Sequence, residues 1–168
     1  MSILNNFKPL LQNDYGDPLD CALTSITAAT MYVLNREDDK NIYNVVEKVA
    51  KQYGYSGTKY GTFAIAIKPI WENVLKKLQY KNTKVSMRIF KGIGYTFETI
   101  KKELDSSNPV LLNVTVIKNT KYKNHTITIV GYESNYKLVI YDNWIKKPVI
   151  INYSDINFNS SINFIKWG

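Results

Sequence analysis

Two kinds of periodicity, and the order in which they come, constrain this chain more than any other feature. Through residues 21–80 apolar side chains recur every three to four positions, and from residue 83 onward short runs alternate or are β-branched. A 3.6-residue period lays one stripe of a helix against a core, whereas a 2-residue period sends alternate side chains to one face of a strand. Helices are therefore predicted over three stretches. The first is 21–34, with Asp20 as N-cap and Ile26, Ala29, Thr30 and Val33 turned inward. The second is 40–52, with Ile42, Val45, Val46 and Val49 inward and a stop at Gly54. The third is 69–80, with Pro69 in its first turn and Ile70, Val74, Leu75 and Leu78 inward. Strands are predicted over 83–90, 109–117, 125–132, 137–144, 148–153 and 162–167, broken by one amphipathic helix over 96–107 that Thr96 opens. Helices first and strands after predict an α+β fold, with N-terminal helices packed on one side of a C-terminal antiparallel β-sheet. Parallel βαβ winding would need strands interleaved among the early helices.

The 168 residues, 45% apolar and 21% charged, are expected to form a single domain over 1–168 with no repeat or linker. No apolar run approaches the roughly 18 residues that span a bilayer. The opening "MSILNNFKPLLQ" lacks a basic n-region and a long apolar stretch, which favours a cytoplasmic chain and leaves export open if a signal was removed. A net charge of +8 raises the question of nucleic acid, but only Arg36 and Arg88 among the 22 basic residues are arginine. Bidentate recognition of bases and phosphates favours arginine, and the lysines are scattered, so they read as a solvated surface without a nucleic-acid partner. One cysteine and one histidine leave too few soft ligands for structural zinc. "GIGYTF" at 92–97 has two glycines of a dinucleotide fingerprint and no βαβ unit before it. No metal or cofactor is expected, and the chain is expected to be a monomer.

The single cysteine, Cys21, stands where "QNDYGDPLD", an acidic loop broken by Gly16 and Pro18, turns into the first helix. Unsatisfied N–H groups and the positive end of the helix dipole there favour a thiolate. The alternative is a small buried hydrophobe. A nucleophile also needs a base, and His125 is the only histidine. It opens the strand "HTITIVGY", sharing a face with Ile127 and Ile129. If that strand and "KLVIYDNW" form a hairpin with an even loop centred between Ser134 and Asn135, His125 faces Trp144. Asp142 then lies one diagonal step away, about 7–8 Å between backbones, close enough to hold the imidazole's tautomer. An odd loop gives that place to Asn143 instead. For the oxyanion of an acyl intermediate, the Cys21 N–H is one donor and the Gln12 side-chain amide a second.

With these residues in place the sequence resembles the papain-like cysteine peptidases (clan CA), in the bacterial group similar to double-glycine leader peptidases. The resemblance rests on "Q…DCALTS" at 12–25, "TIKKELDSSNPVLLNV" at 99–114, "NHTITIVGYE" at 124–133 and "LVIYDNW" at 138–144. It implies a papain-like fold, with Cys21 as nucleophile, His125 as base and then acid, Asp142 as orienter and Gln12 as oxyanion donor. Two departures stand out. Ala22-Leu23 follows the cysteine where many relatives have Gly-Pro, and Gln12 lies nine positions before Cys21, farther than the family's usual spacing. "Gly16-Asp17-Pro18" looks like an inserted bend that absorbs the difference. The implied partner is a peptide or other amide. The same four residues would serve an acyltransferase or a small-amide amidase, and the fold alone would serve a silent binding domain. The glycines of "YSGTKYG" would let an extended peptide approach the backbone, or equally serve only as a mobile turn.

Overall fold

Buried apolar surface divides into two clusters, one on each face of a central antiparallel sheet. The computed structural model describes residues 2–57, 59, 61–91 and 93–167. Thr58 and Tyr60 of the predicted glycine loop, and Gly92 of "GIGYTF", lie outside the described residues, as do Met1 and Gly168. The strands are β1 (Ser2–Ile3), β2 (Lys84–Ile89), β3 (Val110–Val116), β4 (Lys123–Glu133), β5 (Lys137–Tyr141), β6 (Val149–Asn152) and β7 (Ser161–Lys166). The helices are α1 (Cys21–Leu34), α2 (Asp39–Lys51), α3 (Ile67–Lys77) and α4 (Ile93–Asp105). The fold is α+β, as the order of periodicities predicts. The strand order is β2-β7-β3-β4-β5-β6, so the last strand inserts between β2 and β3, and β1 pairs with β4.

Helices α1, α2 and α3 cover one face, where Ile26, Val46, Trp71 and Leu75 meet Val85, Leu111 and Ile165 of the sheet. On the other face, α4 sets Phe97, Ile100 and Leu104 against Val110, Leu112, Ile127 and Ile129. Leu111 and Leu112 go to opposite clusters because successive side chains of a strand alternate. The predicted inward stripe on α1 is too narrow. Every residue from Ala22 to Met31 is buried, since this helix runs between the sheet and its two neighbours. Its polar members bond within the helix and across the core: Thr27 Oγ1 donates to the Leu23 carbonyl at 2.7 Å, and Thr30 Oγ1 accepts from the Trp71 indole at 3.1 Å. Helix α4 starts three residues before the predicted 96, and Thr96 caps from within, its Oγ1 accepting the Lys91 N–H at 2.9 Å.

The β4–β5 hairpin decides what lies opposite His125. Its loop is odd, Ser134 to Tyr136, because Glu133 pairs with Lys137, and Asn135 and Tyr136 take left-handed φ of 66° and 57°. An odd loop alone would shift the register by one. A bulge between Ile129 and Gly131 takes up that residue, and beyond it Ile129 pairs with Ile140 and Thr128 with Tyr141. The even-loop register is thus recovered by a different route.

Gly131 also admits β1. A Cβ there would lie 2.3 Å from the Ser2 carbonyl oxygen, and the next residue along donates Leu4 N–H to the Val130 carbonyl at 2.7 Å. Gly131→Ala is expected to displace β1 and lower unfolding stability by about 1–3 kcal/mol. Denaturant melts would show this together with faster amide exchange at Leu4. Unchanged values for both would contradict it.

Candidate functional site

Loop 12–20 folds as one 3-10 turn over Gln12–Tyr15, closed by Gly16 in the left-handed region at φ 84°, and then leads through Pro18 to the start of α1. The bend brings Gln12 back: its Nε2 donates to the Pro18 carbonyl at 3.1 Å, and the buried side chain reaches the cavity that Cys21 borders. Asp20 stands at the N-cap position but does not cap. Its carboxylate is fully buried, and Oδ2 accepts the Tyr43 hydroxyl proton at 2.6 Å. The Tyr43 ring stacks on Tyr15 at 4.1 Å. Burial raises the Asp20 carboxyl to about 6. The first amides of α1, that of Cys21 among them, are left without a side-chain cap.

The thiol itself corrects an expectation. A helix entrance favours thiolate, yet burial pushes the Cys21 thiol up, and the neighbouring Asp20 charge pushes the same way. Hydrogen bonds from Thr126 and the Ala22 amide oppose this without overcoming it. A thiolate needs solvation or a counter-charge, and one turn of helix dipole supplies too little of either at a buried sulfur.

His125 is 4% exposed and stacks on Trp144, just beyond the last β4–β5 pair, with ring centroids 4.3 Å apart. Burial lowers its pKa, against the hydrogen bond and charge of Asp142, which raise it. Its Nε2 lies 2.6 Å from the main-chain oxygen of Asp142. A carbonyl only accepts, so Nε2 carries the proton and Nδ1 keeps the basic lone pair. The Asp142 carboxylate is not on the ring. Oδ1 accepts the Trp144 and Ile145 amides at 2.9 and 3.1 Å, and Oδ2 accepts the Tyr122 hydroxyl at 2.8 Å. The residue predicted to orient the imidazole thus meets it through its backbone, while its side chain holds the turn that follows.

Asn143 has the larger structural part, which residue types alone did not reveal. Held at φ 67°, a conformation asparagine tolerates, it points Nδ2 at the Cys21 carbonyl (3.0 Å), Ser25 Oγ (2.7 Å) and the Thr126 carbonyl (2.9 Å). Its own carbonyl accepts the Gln12 N–H at 3.0 Å. One side chain thereby ties the first turn of α1 to β4, and its backbone ties in the Gln12 loop.

Cys21, His125 and Gln12 border one cavity of about 470 Å³, closed on one side by Leu19 and residues 61–63 and on the other by residues 123–126 and Trp144. The charged side chain of Asp142 lies outside that lining. The tight approach of the two loops depends on Gly57 at φ 77°, where a Cβ would meet the Asp17 carboxylate at 2.5 Å. A half-buried thiol, an imidazole with one free nitrogen, and amide donors on a shared cleft can attack, protonate and stabilise at an acyl carbon.

Asn143→Asp would aim a carboxylate at three acceptor oxygens. A loss of about 1–3 kcal/mol in denaturant unfolding is expected. Stability indistinguishable from the parent would show that this amide does not hold the two halves together.

The family model described as Peptidase_C39 like family matches residues 4–165. The fold is similar to the peptidase domain of Streptococcus ComA, a bi-functional ABC transporter involved in a quorum sensing pathway. That match has TM-score 0.58 and 16% identity, and covers 95% of this chain and 98% of that one. It is also similar to a C39-like peptidase from Bacillus anthracis, with TM-score 0.65 and 15% identity, over 98% of this chain and 97% of that one. At these identities the likeness speaks for the fold. No curated protein matches the chain. Among the described residues, no helix is long and apolar enough to cross a membrane. With its matched model spanning nearly the whole sequence, the chain belongs to the Peptidase_C39 like family, the papain-like cysteine peptidases that its Gln, Cys, His and Asp motifs resemble.

Proposed function

We propose that this protein hydrolyses peptide bonds through a covalent thioester on Cys21. The observation that carries the reading is a single cleft bordered by Cys21, His125 and Gln12, with the His125 ring bonded through Nε2 so that Nδ1 is the free base. Burial pushes the thiol up and the imidazole down, which favours a neutral resting pair. As sulfur bonds to the substrate carbonyl carbon, the thiol proton passes to His125 Nδ1 and the carbonyl π pair moves to oxygen. The Cys21 N–H and the second Nε2 hydrogen of Gln12 hold that oxyanion. Collapse breaks the C–N bond, and the imidazolium gives its proton to the departing amine. Water then attacks the thioester, losing a proton to Nδ1, and the thiolate leaves and recovers it. Asp142 is a positioning residue. Its carbonyl fixes the ring's tautomer, and its buried charge stabilises the transient imidazolium.

Cys21→Ala should abolish cleavage of peptide pools read by mass spectrometry, and turnover surviving that change would overturn the reading. Transfer to an added amine in preference to water would make the protein an acyltransferase instead. The pH profile carries a sign. His125 must be neutral to act, so kcat/KM falls as pH drops through a value below the ordinary 6.5, and the thiol's limb lies above 9.0. A thiolate–imidazolium resting pair would give an acid limb set by the cysteine instead. Asp142→Asn keeps the main-chain carbonyl, so kcat is expected to fall less than about tenfold. A carboxylate acting directly on the ring would cost about 10⁴.

A further inference from the structure

The cleft's two walls differ in chemistry. On the loop wall Leu19 and Phe63 are 37% and 57% exposed, apolar surface left open beside Cys21. Lys59 stands on the same wall. On the other wall Lys123 borders the cleft, and Lys121 holds its ammonium 4.9 Å over the Trp144 ring. No aspartate or glutamate lines the space. Three carboxylates near site residues, those of Asp17, Asp20 and Asp142, are bonded to tyrosine hydroxyls: Asp17 to Tyr55 at 2.6 Å, Asp20 to Tyr43 at 2.6 Å and Asp142 to Tyr122 at 2.8 Å. The ion pairs found among the described residues, Lys8–Glu37, Arg36–Asp38 and Lys51–Glu47, involve none of these lysines. Cationic charge therefore gathers at the cleft with no counter-charge from the lining, and a half-enclosed site strengthens its pull on an anion.

We propose that the substrate is an acidic peptide, with a glutamate or aspartate beside the scissile amide held by Lys121, Lys123 and Lys59 and an apolar side chain seated on Leu19 and Phe63. This rests on the peptidase reading of the same cleft and narrows its substrate class. Isolated ammonium groups suit a carboxylate as point charges. The exposed apolar wall suits a peptide side chain and offers little to a phosphate backbone.

The test uses Cys21→Ala protein, which cannot turn over, and peptides with a neutral dye and one apolar residue that differ only in carrying Glu, Gln or Lys. Fluorescence anisotropy should rank Glu over Gln over Lys, with Glu on the order of tenfold tighter than Gln and the gap shrinking in salt. Adding Lys59→Ala, Lys121→Ala and Lys123→Ala should erase the ranking while the far-UV spectrum and thermal midpoint stay unchanged. Equal binding of the three peptides, no binding of any, a ranking that survives the lysine changes, or displacement by a short oligonucleotide would each overturn the proposal. Selective binding of the Glu peptide by Cys21→Ala protein, without cleavage by the parent, would instead remove the hydrolase reading and keep the acidic ligand. Equally fast cleavage of all three by the parent would do the reverse.

Discussion

The side-chain amide of Asn143 reaches oxygens of Cys21, Ser25 and Thr126, and so joins a helix near the start of the chain to strands near its end. Much of the site's geometry depends on that junction. A thiol on α1 and an imidazole on β4 belong to separate elements, with about a hundred residues between them. Packing of α1 on the sheet brings them near each other, but packing is non-directional and tolerates slippage. Directional bonds from one amide set the depth and rotation of the helix entrance against the strand. The Asn143 carbonyl extends the junction to Gln12, so the Gln12 loop is registered to the same turn.

Within that turn the labour is divided between backbone and side chain. The Asp142 carbonyl engages the imidazole, and its carboxylate accepts two amides of the turn and the Tyr122 hydroxyl. The ring clusters with two aromatic neighbours, Trp144 at 4.3 Å and Tyr122 at 6.1 Å, themselves 5.4 Å apart, and burial lowers its basicity. Desolvation pushes the Cys21 thiol up as well, and the two effects together favour a neutral pair. This differs from the picture that a helix dipole alone would suggest, in which the sulfur rests as an anion.

The segregation of helical and strand periods made the α+β architecture legible, since each segment's period matched the element it became. Ile127 and Ile129 marked the buried face of β4, and Trp144 stacks on His125 as the hairpin register implies. The route to that register was hidden: an odd loop and a compensating bulge leave the same pairing as an even loop with none. Strand β1, two residues long, carries no period to read. The all-round burial of α1 was hidden because its threonines and serine are polar by type, and partners such as the Leu23 carbonyl for Thr27, the Trp71 indole for Thr30 and the Thr126 carbonyl for Ser25 show only in the fold. Asn143 read as one of two candidates to orient the ring, and its bonds to α1 exist only once distant segments meet. The thiol's raised pKa was equally out of reach, because burial is a property of the fold and the dipole a property of the local chain.

A single histidine makes the central claim directly measurable. Nitrogen-15 NMR of the imidazole in the intact protein, followed through a pH titration, reports which ring nitrogen holds the proton and where the second one binds. A proton on Nε2 at neutral pH, with titration below the ordinary histidine value, is the predicted result. A proton on Nδ1, or an imidazolium persisting to alkaline pH, would contradict the account of how this turn prepares His125 beside Cys21.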